Sequence, residues 1–292
     1  MEKHTFRLPL IEVKINRFPF VEGAFMAKNG KMLEGFFLID TGSETNLLNR
    51  EVERFLSGDA YTDEKLQINA VDNKGEECSI LNIEIELDCV RSNERFCIPQ
   101  NIDFKEQFGE NRIIGIIGSS YLREHKLVLD YESECLCAAS DKEVSLEDLS
   151  FACPMSVGLK THGIPIVAFM KDGEEYFCVP DSGAEDGLFA DGAFKGVNSY
   201  EMLDAKGTVS GVSGTDETGF AKLSFSLISA DEEGNMNNLV EYEDITQVLS
   251  DHEYVANDGK RFPISALLST KFMLRNKWIL DYGNLAIYSR KQ

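Results

Sequence analysis

Asp40 in "FFLIDTGSETNLL" (36–48) and Asp181 in "FCVPDSGAEDGLF" (177–189) each close an apolar run and are followed by a hydroxyl residue and a glycine. A carboxylate at the end of a buried strand is costly unless something holds its charge, and Asp and Gly are poor strand formers. Alone, either motif reads equally well as a turn closing a strand. Together they could do chemistry. Like charges within hydrogen-bonding range resist ionising together, so such a pair keeps one proton over a wide pH range. The protonated member can donate to a carbonyl while the ionised member takes a proton from water, which is general acid–base hydrolysis without a covalent intermediate. The apparent pKa values then belong to the pair. Thr41 and Ser182 carry hydroxyls suited to cross-linking the two loops, and Gly42 and Gly183 leave backbone amides open to the carboxylates.

Such a pair needs two equivalent loops, and the chain repeats itself in a way that supplies them. "AFMAKNGKMLEGFFLIDTGSETNLL" (24–48) has a counterpart in "AFMKDGEEYFCVPDSGAEDGLF" (168–189), each passing an Asn-Gly or Asp-Gly hairpin signal before its apolar strand. A second pair follows: "YLREHKLVLDYESECLC" (121–137) matches "FMLRNKWILDYGNLAIY" (272–288) through Leu-Asp-Tyr. The first pair is offset by 141 residues and the second by 151, so the copies run in the same order with a net insertion of ten. A duplicated domain explains this: one lobe over 1–140, a second over 151–292, and the acidic stretch 141–150 as linker. Asp130 and Asp281, in the Leu-Asp-Tyr copies, read as strand-end structure.

Within each copy the pattern is mostly β. "LIEVKIN" (10–16) and "LNIEIEL" (81–87) alternate as half-buried strands do. Leu48, Val52, Phe55 and Leu56 fall at helical spacing and predict an α-helix within "LLNREVERFL" (47–56). "SYLREH" (120–125) predicts a second short helix before the closing strand.

The 292 residues suffice for two domains with a core, and the formal charge of −21, from 29 basic and 50 acidic residues, argues against nucleic acid or an anionic membrane as partner. No apolar run reaches the length of a membrane span. The N-terminus, "MEKHTFRLPLIEVKINRF", has no unbroken apolar segment and reads as no signal peptide, leaving processing of a precursor open. Seven cysteines, odd in number and without a CxxC pair, point to reduced, mostly buried thiols and a cytoplasmic location. Cys135 and Cys137 read as same-face strand residues and Cys178 as core. The four histidines (4, 125, 162 and 252) lack ligand spacing, and the sequence has neither a G-x-S-x-G elbow nor a phosphate-binding loop. No metal or cofactor is expected.

The two Asp-[Thr/Ser]-Gly loops, with "IIGSSYL" (116–122), resemble the active-site loop and the hydrophobic-hydrophobic-Gly element of the aspartic peptidases. The resemblance spans both halves and is closer to two fused retropepsin-like units than to a full pepsin. It implies an all-β fold: duplicated acid-protease barrel lobes about a pseudo-two-fold axis, with a few short helices. It further implies Asp40 and Asp181 as catalytic pair, Thr41 and Ser182 as the hydroxyl grip, and Gly42, Ser43, Gly183 and Gly118 as loop support, with Gly118 packed behind Asp40. The expected activity is endopeptidase cleavage of peptide or unfolded polypeptide by a monomer. The alternative is an inactive peptide-binding or scaffolding module of the same fold.

The second copy departs from the pattern. Ser269 stands where Gly118 does, putting a side chain at the closest backbone approach and the support of Asp181 in question. Pro180 marks a strand end or edge. Ala184 replaces Ser43, removing a hydroxyl that could bond a carboxylate. Glu185 and Asp186 would raise the pKa of Asp181 if they lie beside it. For flaps, 68–80 offers a turn at Asp72–Gly75 without an aromatic. The glycine-rich 207–219 reads equally as a mobile hairpin over a cleft and as an exposed loop.

Overall fold

A computed structural model describes residues 6–13, 16–69, 75–99, 104, 112–139, 144–155, 163–211, 214–249, 254–255, 261–262 and 264–291. Its first barrel runs in spatial order through strands Asn16–Met26, Met32–Asp40, Ile113–Gly118, Asn46–Leu48, Val90–Ile98 and Gly75–Leu87. The sixth strand returns to the first where Phe25 faces Ile85 and Ala24 faces Glu86, which closes the sheet. The second barrel runs through Val167–Lys171, Glu174–Asp181, Ile264–Ser269, Gly187–Ala190, Met236–Leu249 and Gly214–Ala230, and closes where Phe169 meets Leu227. Closure removes the unpaired edges that an open sheet would leave.

Local chemistry explains several elements. Asp172 (φ 53°) and Gly173 (φ 83°) both take the left-handed conformation between paired Lys171 and Glu174, as a two-residue hairpin turn of primed type requires. The expected helix at 120–125 is α1 (Ser119–Glu124), and its counterpart is α2 (Thr270–Arg275).

Two elements differ from expectation. The stretch 47–56 is not an α-helix but a 3₁₀ segment over Arg50–Phe55. Asn46–Leu48 is claimed first by pairing with Ile113–Gly118 and Val90–Ile98, which leaves the six residues Arg50–Phe55 between extended Asn49 and extended Leu56. The apolar spacing still serves burial: Leu48, Val52 and Leu56 are inside, while Phe55 is 37% exposed. Likewise 10–16 is not one strand. Ile11–Val13 folds back antiparallel on a strand that begins at Asn16, with Val13 opposite Asn16.

A third sheet joins the halves. Its order is Arg7–Pro9, Cys135–Ala138, Leu127–Asp130, Ile279–Asp281, Ala286–Arg290 and Leu149–Pro154, three strands from each half. The two Leu-Asp-Tyr strands pair with each other about a local two-fold, with Leu129 opposite Leu280 and Val128 and Asp130 opposite Asp281 and Ile279. Two cross-half backbone bonds flank that pair, Tyr131 N–H to Trp278 O and Tyr282 N–H to Leu127 O, both 3.0 Å. Leu149–Pro154 overlaps the end of the stretch read as linker. One apolar cluster runs through both halves, from Phe37 and Leu129 to Leu280 and Trp278, whose indole stacks on Phe151 at 5.0 Å.

Candidate active site

The parallel pairing of Met32–Asp40 with Ile113–Gly118 ends with Asp40 opposite Gly118, and the equivalent pairing in the second barrel ends with Asp181 opposite Ser269. Each aspartate is therefore delivered at a strand end, at the start of a loop whose amides turn back on it. Asp40 Oδ1 accepts from Gly42 N–H (2.9 Å) and Ser43 N–H (3.0 Å). Asp181 Oδ1 accepts from Gly183 N–H (2.8 Å), and the Ala184 amide adds to its support.

The loops interlock across the two-fold axis. Thr41 N–H donates to Ser182 Oγ (2.8 Å), and Ser182 N–H donates to Thr41 Oγ1 (3.0 Å). The hydroxyls then donate onward to the opposite strand: Thr41 Oγ1 to Pro180 O (2.6 Å) and Ser182 Oγ to Ile39 O (2.7 Å). Each hydroxyl thus gives its single proton and accepts one amide, and both residues are fully buried.

The glycines are required by the opposite aspartate. A Cβ at Gly42 would stand 2.5 Å from the Asp181 carboxylate oxygens, and one at Gly183 would stand 2.5 Å from Asp40 Oδ2. Each carboxyl therefore packs on the other loop's glycine, and the two carboxyls share a hydrogen bond. Burial raises the Asp40 carboxyl above the ordinary range, against the opposing pull of its hydrogen bond with Asp181 and of the amides. Burial followed by the Asp40 charge pushes Asp181 well above it. Two carboxyls so placed can hold one proton between them.

The departures in the second copy have local compensations. In the first lobe Gly118 is needed because a Cβ there would meet Thr45 O at 2.7 Å and Ser43 O at 2.9 Å. Its N–H donates to Asn46 Oδ1 (2.9 Å), and Asn46 Nδ2 donates on to Arg95 O (3.1 Å). In the second lobe glycine stands at 187 in place of Asn46 and serine at 269 in place of Gly118, and a Cβ at Gly187 would meet Thr246 Cγ2 at 3.0 Å and Leu267 O at 3.2 Å. Ser269 is buried, and its Oγ caps α2 by accepting from Phe272 N–H (3.2 Å). The side chain at 269 therefore leaves the strand pairing behind Asp181 intact. Ser43 Oγ donates to Thr45 O (2.8 Å) and not to the carboxylate, so Ala184 deprives Asp181 of no side-chain bond. Glu185 and Asp186 both pair with Lys271, at 2.8 and 3.0 Å, which takes up their charge locally. Pro180 sits one residue before the strand end, where its carbonyl serves Thr41.

Asp130 and Asp281 cap turns: Asp130 Oδ1 accepts from Ser133 N–H, and Asp281 Oδ1 from Gly283 and Asn284 N–H. Cys178 is buried core, and His125 pairs with Glu94 at 3.0 Å. The turn read at 72–75 lies almost wholly outside the described residues, as do His4, His162 and His252. The glycine-rich 207–219 lies in a hairpin of Ser199–Gly211 with Gly214–Ala230, whose tip is outside them too. A hollow of about 510 Å³ on the flank of the first barrel, lined by Phe25, Val52, Phe55 and Ile114 among others, includes neither aspartate.

Sequence reasoning passed over Tyr131 and Tyr282. Ser119, the first residue of α1, donates from Oγ to Thr41 O (2.6 Å) and bonds the Tyr282 hydroxyl (3.0 Å). Thr270, the first residue of α2, bonds the Tyr131 hydroxyl at 2.9 Å. The signal was present in the repeat: a tyrosine after each strand-end aspartate, and a hydroxyl residue after each strand that ends at 118 or 269.

Among solved structures, the chain is similar to the aspartic proteinase from Irpex lacteus, with a TM-score of 0.57 and 11% identity over 99% of this chain and 98% of that one. No family model matches the sequence, and no curated protein matches it. At that identity the likeness establishes the fold alone: the two-lobed, all-β, pepsin-like architecture. No helix among the described residues is long and apolar enough to cross a membrane.

Proposed function

We propose that this chain is an aspartic endopeptidase in which Asp40 and Asp181 share one proton. The observation that carries the reading is the reciprocal arrangement at the loops: each carboxyl lies on the other loop's glycine, beneath a four-bond hydroxyl grip. That geometry presses two like charges together and leaves them one proton, as peptide hydrolysis by two carboxyls demands. The ionised carboxylate takes a proton from the attacking water while the protonated one donates to the scissile carbonyl oxygen. In collapse of the tetrahedral species the proton taken from water passes to the leaving nitrogen, and a hydroxyl of the gem-diol returns its proton to the other carboxylate as the carbonyl re-forms, which restores the pair. Thr41, Ser182 and the four loop amides fix both carboxyls, so little reorganisation accompanies charge movement.

The substrate in this reading is a peptide or unfolded polypeptide, bound extended between the lobes by strand-like pairing. One chain carries both aspartates, so a monomer is complete, and its compact lobes class it with fused retropepsin-like units. Seven free thiols suit a reducing compartment such as the cytoplasm.

The test is incubation of the purified chain with a diverse unfolded peptide mixture from about pH 3 to 8, the window a coupled pair can span, with new termini read by mass spectrometry. Asp40→Asn and Asp181→Asn should each lower cleavage by about 10²–10⁴-fold. Cuts that survive both substitutions would sink the proposal. Peptides retained without cleavage at any pH would favour the peptide-binding module.

A further inference from the structure

We propose that Tyr131 and Tyr282 are positioning residues for the Asp40–Asp181 pair, each reaching across the lobe interface to hold the loop base beneath the opposite lobe's aspartate. This rests on the reading of the two aspartates as an acid–base pair. Tyr131 belongs by sequence to the first lobe, yet its hydroxyl bonds Thr270 of the second; Tyr282 belongs to the second, yet its hydroxyl bonds Ser119 of the first. The contacts are separated by 139 and 163 residues and are related by the same pseudo-two-fold axis as the aspartates.

The direction of the Tyr282 bond follows from counting protons. Ser119 Oγ has one hydrogen and gives it to Thr41 O at 2.6 Å, so the tyrosine must be the donor. A chain results: Tyr282 O–H to Ser119 Oγ, Ser119 O–H to the carbonyl of Thr41, and Thr41 Oγ1 into the grip with Pro180 and Ser182. Ser119 N–H also holds Ser43 O (2.8 Å), and on the other side Thr270 N–H holds Ala184 O (2.9 Å). Both aspartate loops therefore stand on a hydroxyl residue at the start of a short helix, and each of those residues is held by a tyrosine from the other lobe.

The tyrosines are 3% and 2% exposed, so solvent does not reach these hydroxyls in place of their partners. Burial first holds both phenols protonated, which keeps the donor in place. The charges of Asp40 and Asp181 act on each phenol in the same direction, and Tyr131 adds to them at Tyr282.

The test uses the full chain labelled with ¹³C at the aspartate carboxyls, titrated by NMR, so that it reports on the pair whether or not a peptide is cut. The native chain should show two well-separated midpoints for Asp40 and Asp181. Tyr131→Phe and Tyr282→Phe keep the ring and remove the hydroxyl. Each should loosen the grip, let the carboxyls move apart and narrow the gap between midpoints by about one pH unit. Against a cleaved peptide, kcat should fall about tenfold while KM stays within about twofold. Ser119→Ala breaks the Tyr282 link from the other end; it should narrow the gap equally and add little when combined with Tyr282→Phe. Should Tyr282→Phe fail to fold, the gap in Ser119→Ala decides the matter in its place. Folded tyrosine variants with the native gap would overturn the assignment and leave the phenols as packing alone. A native chain with split midpoints but no cleavage would overturn the peptidase reading and leave the tyrosine assignment standing. Unsplit, ordinary midpoints in the native chain would overturn both.

Discussion

At the scale of single residues, the carboxyl pair sets function against stability. Both carboxyls are raised, Asp181 the further, by burial and then by its neighbour's charge. A group whose folded pKa lies above its unfolded value binds more protons when folded, so its contribution to stability declines as pH rises through that interval. Asn cannot ionise and can still accept the Gly183 amide through Oδ1. Asp181→Asn should therefore unfold at a higher temperature than the native chain at pH 7, by about 2–4 °C per kcal/mol recovered. The advantage should shrink toward pH 4, where the native pair is increasingly protonated. Melting curves across that range check it, and equal melting temperatures at every pH would count against a strained pair.

What was legible at this scale was the local grammar. An aspartate, a hydroxyl and a glycine in succession advertise a carboxyl, a cross-link and a close approach, and all three meet their counterparts in the other copy. The tyrosines were not legible as contacts, because their partners lie more than a hundred residues away and nothing local to Tyr282 names Ser119. Ser269 was misjudged for a related reason. A serine against glycine in one aligned column looks like damage, whereas the cap it provides to Phe272 N–H at the start of α2 is not written in that column.

At the scale of elements, Gly118 and Ser269 hold equivalent places under unequal constraints. Gly118→Ala would drive a methyl into the carbonyls of Thr45 and Ser43, which are backbone and cannot swing aside. It should destabilise by about 1–3 kcal/mol and lower activity through Asp40. Ser269→Gly loses only the cap on Phe272 N–H, a few tenths of a kcal/mol for a glycine replacement. Urea denaturation of both variants checks the contrast, and equal losses would contradict it. Element types were legible where period and turn chemistry agreed, as at Asp172-Gly173 and at 81–87. They were misread where period alone was available. The spacing of Leu48, Val52 and Leu56 serves a 3₁₀ turn as well as an α-helix once Asn46–Leu48 is taken into the sheet. Alternation over 10–16 likewise does not show where a strand folds back.

At the scale of the whole molecule, duplication was readable from the two repeats, but their junction was not. The sheet shared between halves draws strands from residues 7–9, 127–138, 149–154 and 279–290, and each half contributes three. Neither half keeps that sheet without the other, and one apolar cluster spans both. The chain should therefore unfold in one cooperative step, with coincident transitions by far-ultraviolet circular dichroism and by calorimetry. Two resolved transitions would show lobes that are stable separately.

Trp278 is the chain's one tryptophan, and it lies fully buried at this junction, its carbonyl accepting the Tyr131 amide from the opposite half. Its emission is a native optical gauge of the seam: short in wavelength while the halves are joined, shifting red when water enters. Lobe separation can thus be timed in the unlabelled protein, apart from any event at the carboxyls.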